Sequence, residues 1–136
     1  YCGAGTIGLS MAKNAKEIIG VEIVPEAIED AKINAGLNGI ENARFICGDA
    51  AQAAEVLKNE GIKPDVIILD PPRKGCSPEM LKTAAQMAPD RIVYVSCDPA
   101  TLARDCGIFA DLGYIAVKAT PVDMFPRTGG YSYIGK

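Results

Sequence analysis

Val66-Ile67-Ile68-Leu69 is the stretch that most limits what this chain can become. Four apolar residues in a row, with no polar alternation, describe a strand covered on both faces, and such strands belong to parallel sheets flanked by helices. The run stops at Asp70-Pro71-Pro72-Arg73-Lys74-Gly75, where a carboxylate stands on backbone stiffened by two prolines. A second apolar run, Arg91 to Val95, ends in Ser96-Cys97-Asp98-Pro99. In open α/β sheets ligands sit outside the carboxyl ends of the strands. Asp70 and Cys97 therefore stand where chemistry is done. Each also has a plainer reading, a simple turn for the first and a buried structural thiol for the second.

The rest of the chain alternates in the same manner. Tyr1-Cys2-Gly3-Ala4-Gly5-Thr6-Ile7-Gly8 sets three glycines at the spacing of a ligand-binding turn, and Thr6 to Asn14 reads as the helix after it. Such a loop follows a strand, so upstream sequence holding a central strand is expected before Tyr1. Glu17 to Ile23 reads as a strand ending near Glu22, and Pro25 then fits the first turn of a helix. Ala27, Ile28, Ala31, Ala35 and Leu37 give that helix its apolar spacing, with Asn38-Gly39 as its stop.

Ala43 to Cys47 is a short strand followed by Gly48-Asp49, and Ala50 to Asn59 is a small-residue helix. Asp65 to Leu69 is the next strand. Ser77 caps a helix that has Pro78 just inside it and runs to about Ala88. Arg91 to Ser96 is a strand, Pro99 to Leu112 a helix, and Gly113 to Ala119 a sixth strand. Pro121 to Thr128 reads as a loop, and the tail from Gly129 is either a last short strand or a disordered end. The pitch predicts an α/β fold with a mostly parallel, doubly wound sheet in a single domain over residues 1–136.

Composition excludes more than it assigns. At net charge −3, the chain lacks the basic surface of a domain that grips nucleic acid unaided. Five cysteines without a CxxC pair, and no histidine, argue against a zinc or iron–sulfur site. No apolar run approaches the about 20 residues of a membrane helix, and no signal peptide is evident, so a cytoplasmic location is the default.

Gly3, Gly5 and Gly8 match the dinucleotide fingerprint, and Glu22 stands where an acid takes ribose hydroxyls. That pair fits a nicotinamide dinucleotide and S-adenosylmethionine equally. Gly48-Asp49, suited to an adenine edge or to capping a helix, tilts the choice toward S-adenosylmethionine. Asp70-Pro71-Pro72 tilts it the same way, and Cys97 has no use in hydride transfer.

Taken together, Tyr-Cys-Gly-x-Gly-Thr at Tyr1, Gly-Val-Glu ending at Glu22, Asp-Pro-Pro-Arg-Lys-Gly from Asp70 and Ser-Cys-Asp-Pro-Ala-Thr-Leu-Ala-Arg-Asp from Ser96 resemble the RNA uracil-5-methyltransferases. The resemblance spans nearly all of residues 1 to 128, ending near Asp123-Met124-Phe125-Pro126. It implies a Rossmann-like class I methyltransferase fold, S-adenosylmethionine as cofactor and a ribosomal or transfer RNA as substrate. It also implies that Cys97 is the nucleophile and that Asp70 lies beside cofactor and uracil. Tyr1, Gly3, Gly5, Thr6, Glu22 and Asp49 would line the cofactor.

Arg73 and Lys74 would meet RNA phosphate or order their loop. With no histidine present, these two and Arg104 are the cations that could favour a thiolate. The family follows its Asp-Met-Phe-Pro motif with His-Val-Glu, whose glutamate is the base. Here Thr128 is followed by Gly-Gly-Tyr, and the last glutamate is Glu79, so no base is assigned. The family's N-terminal RNA-binding portion is likewise not in this stretch, which is expected to turn over poorly by itself. Two other readings remain: a methyltransferase acting on an exocyclic amine, and a non-catalytic cofactor-binding module.

Overall fold

In a computed structural model the described residues are 1–123 and 132–135. They fall into two compact units, Tyr1–Ala53 and Ala54–Lys136.

The first unit is built on one parallel strand pair. β1 (Ile18–Glu22) and β2 (Ala43–Cys47) run in register from Ile18 opposite Ala43 to Glu22 opposite Cys47, with α2 (Pro25–Leu37) as the crossover. Ile28, Ala31 and Ala35 form the buried stripe of α2. Leu37, expected on that stripe, is exposed, because two residues beyond Ala35 lies on the other side of a 3.6-residue helix. Gly39, at φ 63°, turns the chain out of the helix while Ile40 N–H closes onto Ala35 O at 2.9 Å.

The helix expected over Thr6 to Asn14 is shorter. α1 (Thr6–Ser10) breaks at Met11 into a 3-10 turn over Ala12–Asn14. Asn42 explains the break, since its side-chain amide donates to Ala12 O at 2.8 Å and Ala15 O at 2.9 Å. These carbonyls are thereby satisfied outside a continued helix.

α3 (Ala50–Asn59) leads into the second unit, whose sheet has the order β3-β4-β6-β5. β3 (Val66–Leu69) and β4 (Arg91–Ser96) are parallel, from Val66 opposite Arg91 to Leu69 opposite Tyr94. β6 (Ser132–Gly135) is antiparallel both to β4 and to β5 (Ala119–Val122). α4 (Pro78–Gln86) and α5 (Pro99–Asp111) cover the parallel pair, and Leu69, Cys76, Leu81, Ala84, Tyr94, Leu102 and Phe109 form the core. Among the described residues no helix is long and apolar enough to cross a membrane.

The sixth strand was expected over Gly113 to Ala119, and only Ala119 of that range belongs to it. Gly113 at φ 93° and Tyr114 are used to stop α5, with Tyr114 N–H on Phe109 O at 2.9 Å. The Tyr114 ring meets Phe109 edge-on, its centroid 6.1 Å away, and its hydroxyl donates to Pro89 O at 3.0 Å. Ile115 and Val117 then lie exposed, and pairing with β6 begins at Ala119. Pro121 is tolerated because β5 is an edge strand. The Met124–Thr128 part of the expected loop lies outside the described residues.

Ser77 caps α4 as expected, its hydroxyl accepting from Met80 N–H at 3.2 Å. Ser77→Ala is expected to cost about 1 kcal/mol of stability, read as a lower midpoint in urea unfolding with an unchanged slope.

Candidate active site

The first unit gathers its candidate residues at the carboxyl ends of β1 and β2. Each loop glycine has its own reason. Gly5, at φ 82°, could not carry a Cβ without coming to 3.0 Å from Leu9 Cδ1 and 3.3 Å from Ala31 Cβ. A Cβ on Gly8 would stand 3.1 Å from Ile18 Cγ2, so this residue lets α1 close on the strand. Gly3, at φ 51°, is different: a Cβ there meets nothing within 4 Å, so its bare backbone borders open space that a ligand can enter.

Glu22 ties this loop down. One carboxylate oxygen accepts from Gly3 N–H at 3.0 Å, and the other accepts from Ile23 at 2.8 Å and Val24 at 3.2 Å. Burial opposes its charge, but the three amide donors outweigh burial and hold the carboxyl below the ordinary range. Its folded pKa is therefore below its unfolded one. The stability it lends is present above the unfolded carboxylate range and is lost as pH falls through the folded value. Three of about four acceptor sites are occupied, which leaves one open.

Gly48 N–H donates to Glu22 O at 2.9 Å, which sets Gly48-Asp49 beside Glu22. Asp49 caps α3: its carboxylate takes Gln52 N–H at 2.9 Å while Gln52 Oε1 takes Asp49 N–H at 3.2 Å. The geometry realises the cap, a role that is compatible with reading an adenine edge. Tyr1 and Thr6 are exposed at the two ends of the glycine loop.

The second unit presents Asp70 and Cys97 at the carboxyl ends of neighbouring parallel strands, β3 and β4. Asp70 is exposed, and partial desolvation by the chain beside it raises its carboxyl from the ordinary value. Cys97 is a half-buried free thiol at the centre of a tight bracket. Ser96 Oγ accepts from Asp98 N–H at 3.1 Å and donates to Asp98 O at 2.9 Å. The Asp98 carboxylate then caps α5, accepting from Ala100 and Thr101 N–H at 2.9 Å each. The Thr101 amide leads the effects that lower its carboxyl.

The loop after Asp70 is laced to α5. Arg73 O accepts from Thr101 Oγ1 at 3.1 Å, and Lys74 O and Cys76 O accept from Arg104 at 3.0 and 3.2 Å. Cys76 N–H and the Tyr94 hydroxyl both donate to Asp105 Oδ2, at 2.8 and 2.5 Å. Burial, and then Asp105, raise the Tyr94 hydroxyl far above its usual range, and burial does the same more mildly to Cys76.

Arg104 was expected among the cations that could favour a thiolate, but its guanidinium is engaged with Asp105 and these carbonyls. Arg73 and Lys74 contribute carbonyls to the clamp while their side chains stay exposed. Sequence reasoning assigned no role to Asp105 or Tyr94. The signal was present: Leu102, Asp105 and Phe109 share the buried stripe of α5, and a carboxylate there demands partners.

Parallel strands with helical crossovers, a three-glycine loop and an acid closing the next strand define a Rossmann-like fold of the class I methyltransferase type. Solved structures agree. A Pyrococcus abyssi tRNA (uracil-54, C5)-methyltransferase in complex with S-adenosyl-L-homocysteine superposes with a TM-score of 0.84 at 33% identity, over 99% of this chain and 32% of that one. A methyltransferase from Agrobacterium tumefaciens, 21% identical over 98% of this chain and 52% of that one, shares the fold at a TM-score of 0.74.

The description tRNA (uracil-5-)-methyltransferase matches residues 1–130, and the chain belongs to that family. A protein of Clostridium acetobutylicum named as an uncharacterized RNA methyltransferase is 57% identical over 95% of this chain. The chain spans 28% of that relative's length.

Proposed function

We propose that this chain is the S-adenosylmethionine-binding catalytic domain of an RNA uracil-5-methyltransferase, and that Cys97 forms a covalent bond to uracil C6. The observation that carries the reading is the pairing of two strand ends, Cys97 after β4 and Asp70 after β3, on parallel neighbours in register. Family membership and the S-adenosyl-L-homocysteine held by the Pyrococcus protein support the choice of cofactor.

The chemistry follows from the weakness of uracil C5 as a nucleophile. Cys97 Sγ, as thiolate, adds to C6, and the C5–C6 π electrons move onto the C4 carbonyl as an enolate. S-adenosylmethionine supplies the electrophilic methyl that C5 takes up, and S-adenosylhomocysteine departs. A base removes the C5 proton, and the electrons of that bond restore C5=C6 as Cys97 Sγ leaves. Asp70 is suited to hold the uracil edge. Its carboxylate, exposed at the end of β3, can accept a hydrogen bond from the ring N3–H. Arg73 and Lys74 are exposed toward any RNA that reaches this loop.

For the cofactor, Gly3 leaves the backbone bare where a ligand can approach, and Glu22 offers its remaining acceptor capacity to ribose. Glu22→Ala removes both that acceptor and the clamp on Gly3. Affinity for S-adenosylhomocysteine is expected to fall by about tenfold or more in calorimetric titration.

The decisive test is product analysis. The full-length protein is incubated with methyl-labelled S-adenosylmethionine and unmodified cellular RNA, and the RNA is then digested to nucleosides. Labelled 5-methyluridine supports the reading. Label on an exocyclic amine supports the amine-methylating alternative, and cofactor binding without label supports a non-catalytic module.

A further inference from the structure

Asp105 has no place in the reaction as written, yet it is among the most deeply buried side chains of the second unit. Its carboxylate accepts three hydrogen bonds, from Cys76 N–H, the Tyr94 hydroxyl and Arg104 Nε, and Arg104 Nη2 forms an ion pair with Oδ1 at 2.7 Å. Those donors come from three segments. Cys76 closes the loop that starts at Asp70, Tyr94 lies on β4 three residues before Cys97, and Arg104 lies on the helix that Cys97 leads into. Arg104 also reaches Lys74 O and Cys76 O, so the carboxylate and its guanidinium hold both sides of the same turn.

We propose that Asp105 is a positioning residue: it fixes the loop bearing Asp70 against the strand and helix bearing Cys97, and so sets the spacing of the two reacting-site groups. A buried charge is poor value as mere packing, because apolar residues of similar volume commonly stabilise as well or better. Three hydrogen bonds and an ion pair converging from separate segments give geometry instead. Covalent addition is sensitive to such geometry, since a misplacement of about 1 Å can cost about a hundredfold in rate. The inference rests on Cys97 being the nucleophile.

The test uses the full-length protein and RNA carrying 5-fluorouridine, whose C5–F bond traps the methylated adduct. Asp105→Asn keeps the shape but turns one acceptor into a donor, facing a partner that can only donate. Tyr94→Phe removes one donor and leaves the carboxylate charged, and serves if the first variant does not fold. For a variant that melts cooperatively, the rate of adduct formation and kcat are expected to fall by about tenfold to a hundredfold. KM for RNA and affinity for S-adenosylhomocysteine should stay within about twofold.

A folded variant that forms adduct at the wild-type rate overturns the inference alone. So does a loss confined to KM. Wild-type protein that forms neither adduct nor 5-methyluridine overturns the reading beneath it, and the inference falls with it.

Discussion

Cys97→Ser is expected to abolish the covalent complex with 5-fluorouridine RNA and to lower methyl transfer by about 10⁴-fold or more. The magnitude follows from what the thiol does. A serine hydroxyl is almost wholly protonated at neutral pH and adds poorly to C6, whereas cysteine supplies a thiolate of high nucleophilicity. Little else should change. The bracket around Cys97 is made by the Ser96 hydroxyl and the backbone of Asp98, and the cap of α5 by the Asp98 carboxylate, all of which the substitution leaves alone. S-adenosylhomocysteine affinity and melting temperature are therefore expected to match the wild type. A denaturing gel reads the outcome directly: the slow-migrating protein–RNA band should vanish. A band that survives the substitution would make another side chain the nucleophile and remove the basis of the proposed mechanism.

What the sequence disclosed, and what it hid, divide along a physical line. β2, β4, α2, α3 and α5 were legible within a residue or two because local signals agree there: apolar runs, prolines at first helical turns, and an aspartate that caps. Strand ends bearing Asp70 and Cys97 were legible for the same reason, since a turn residue at the end of an apolar run declares itself. The sixth strand was misplaced because Gly113-Tyr114-Ile115-Ala116-Val117 has strand-like composition. Tyr114 is drawn away by Phe109 and the Pro89 carbonyl, and Ile115 and Val117 find no cover.

The clamp was hidden in another way. Cys76 and Asp105 are 29 positions apart, and neither residue type announces a pairing. Only the fold shows that the Asp-Pro-Pro loop and the helix after Cys97 share one carboxylate. The capping role of Asp49 was one of two compatible readings of a single residue, and it is realised through Gln52.

Gly75 shows how much the site loop depends on that clamp, and Gly75→Ala is expected to cost about 2–5 kcal/mol of folding stability. Two effects add. At φ 75° the residue sits in left-handed backbone, which costs a residue bearing a Cβ about 1–2 kcal/mol. The new methyl would also stand 2.6 Å from Arg104 Nη2, 2.7 Å from Asp105 Oδ2 and 3.2 Å from Thr101 Cβ. Neither of the first two atoms can retreat cheaply. Arg104 holds two carbonyls of the same turn, and the buried Asp105 accepts from Cys76, Tyr94 and Arg104. Overpacking of this kind costs about 1–3 kcal/mol.

Gly3→Ala is the control. It shares the left-handed backbone at φ 51°, but its Cβ meets open space. Stability is then expected to fall by only about 1–2 kcal/mol, while S-adenosylhomocysteine binding should be lost where the methyl fills the ligand's approach. Urea unfolding and calorimetric titration of the two variants separate these effects. If Gly75→Ala is as stable as Gly3→Ala, the loop can move away from Arg104 and Asp105, and the clamp is softer than its hydrogen bonds imply.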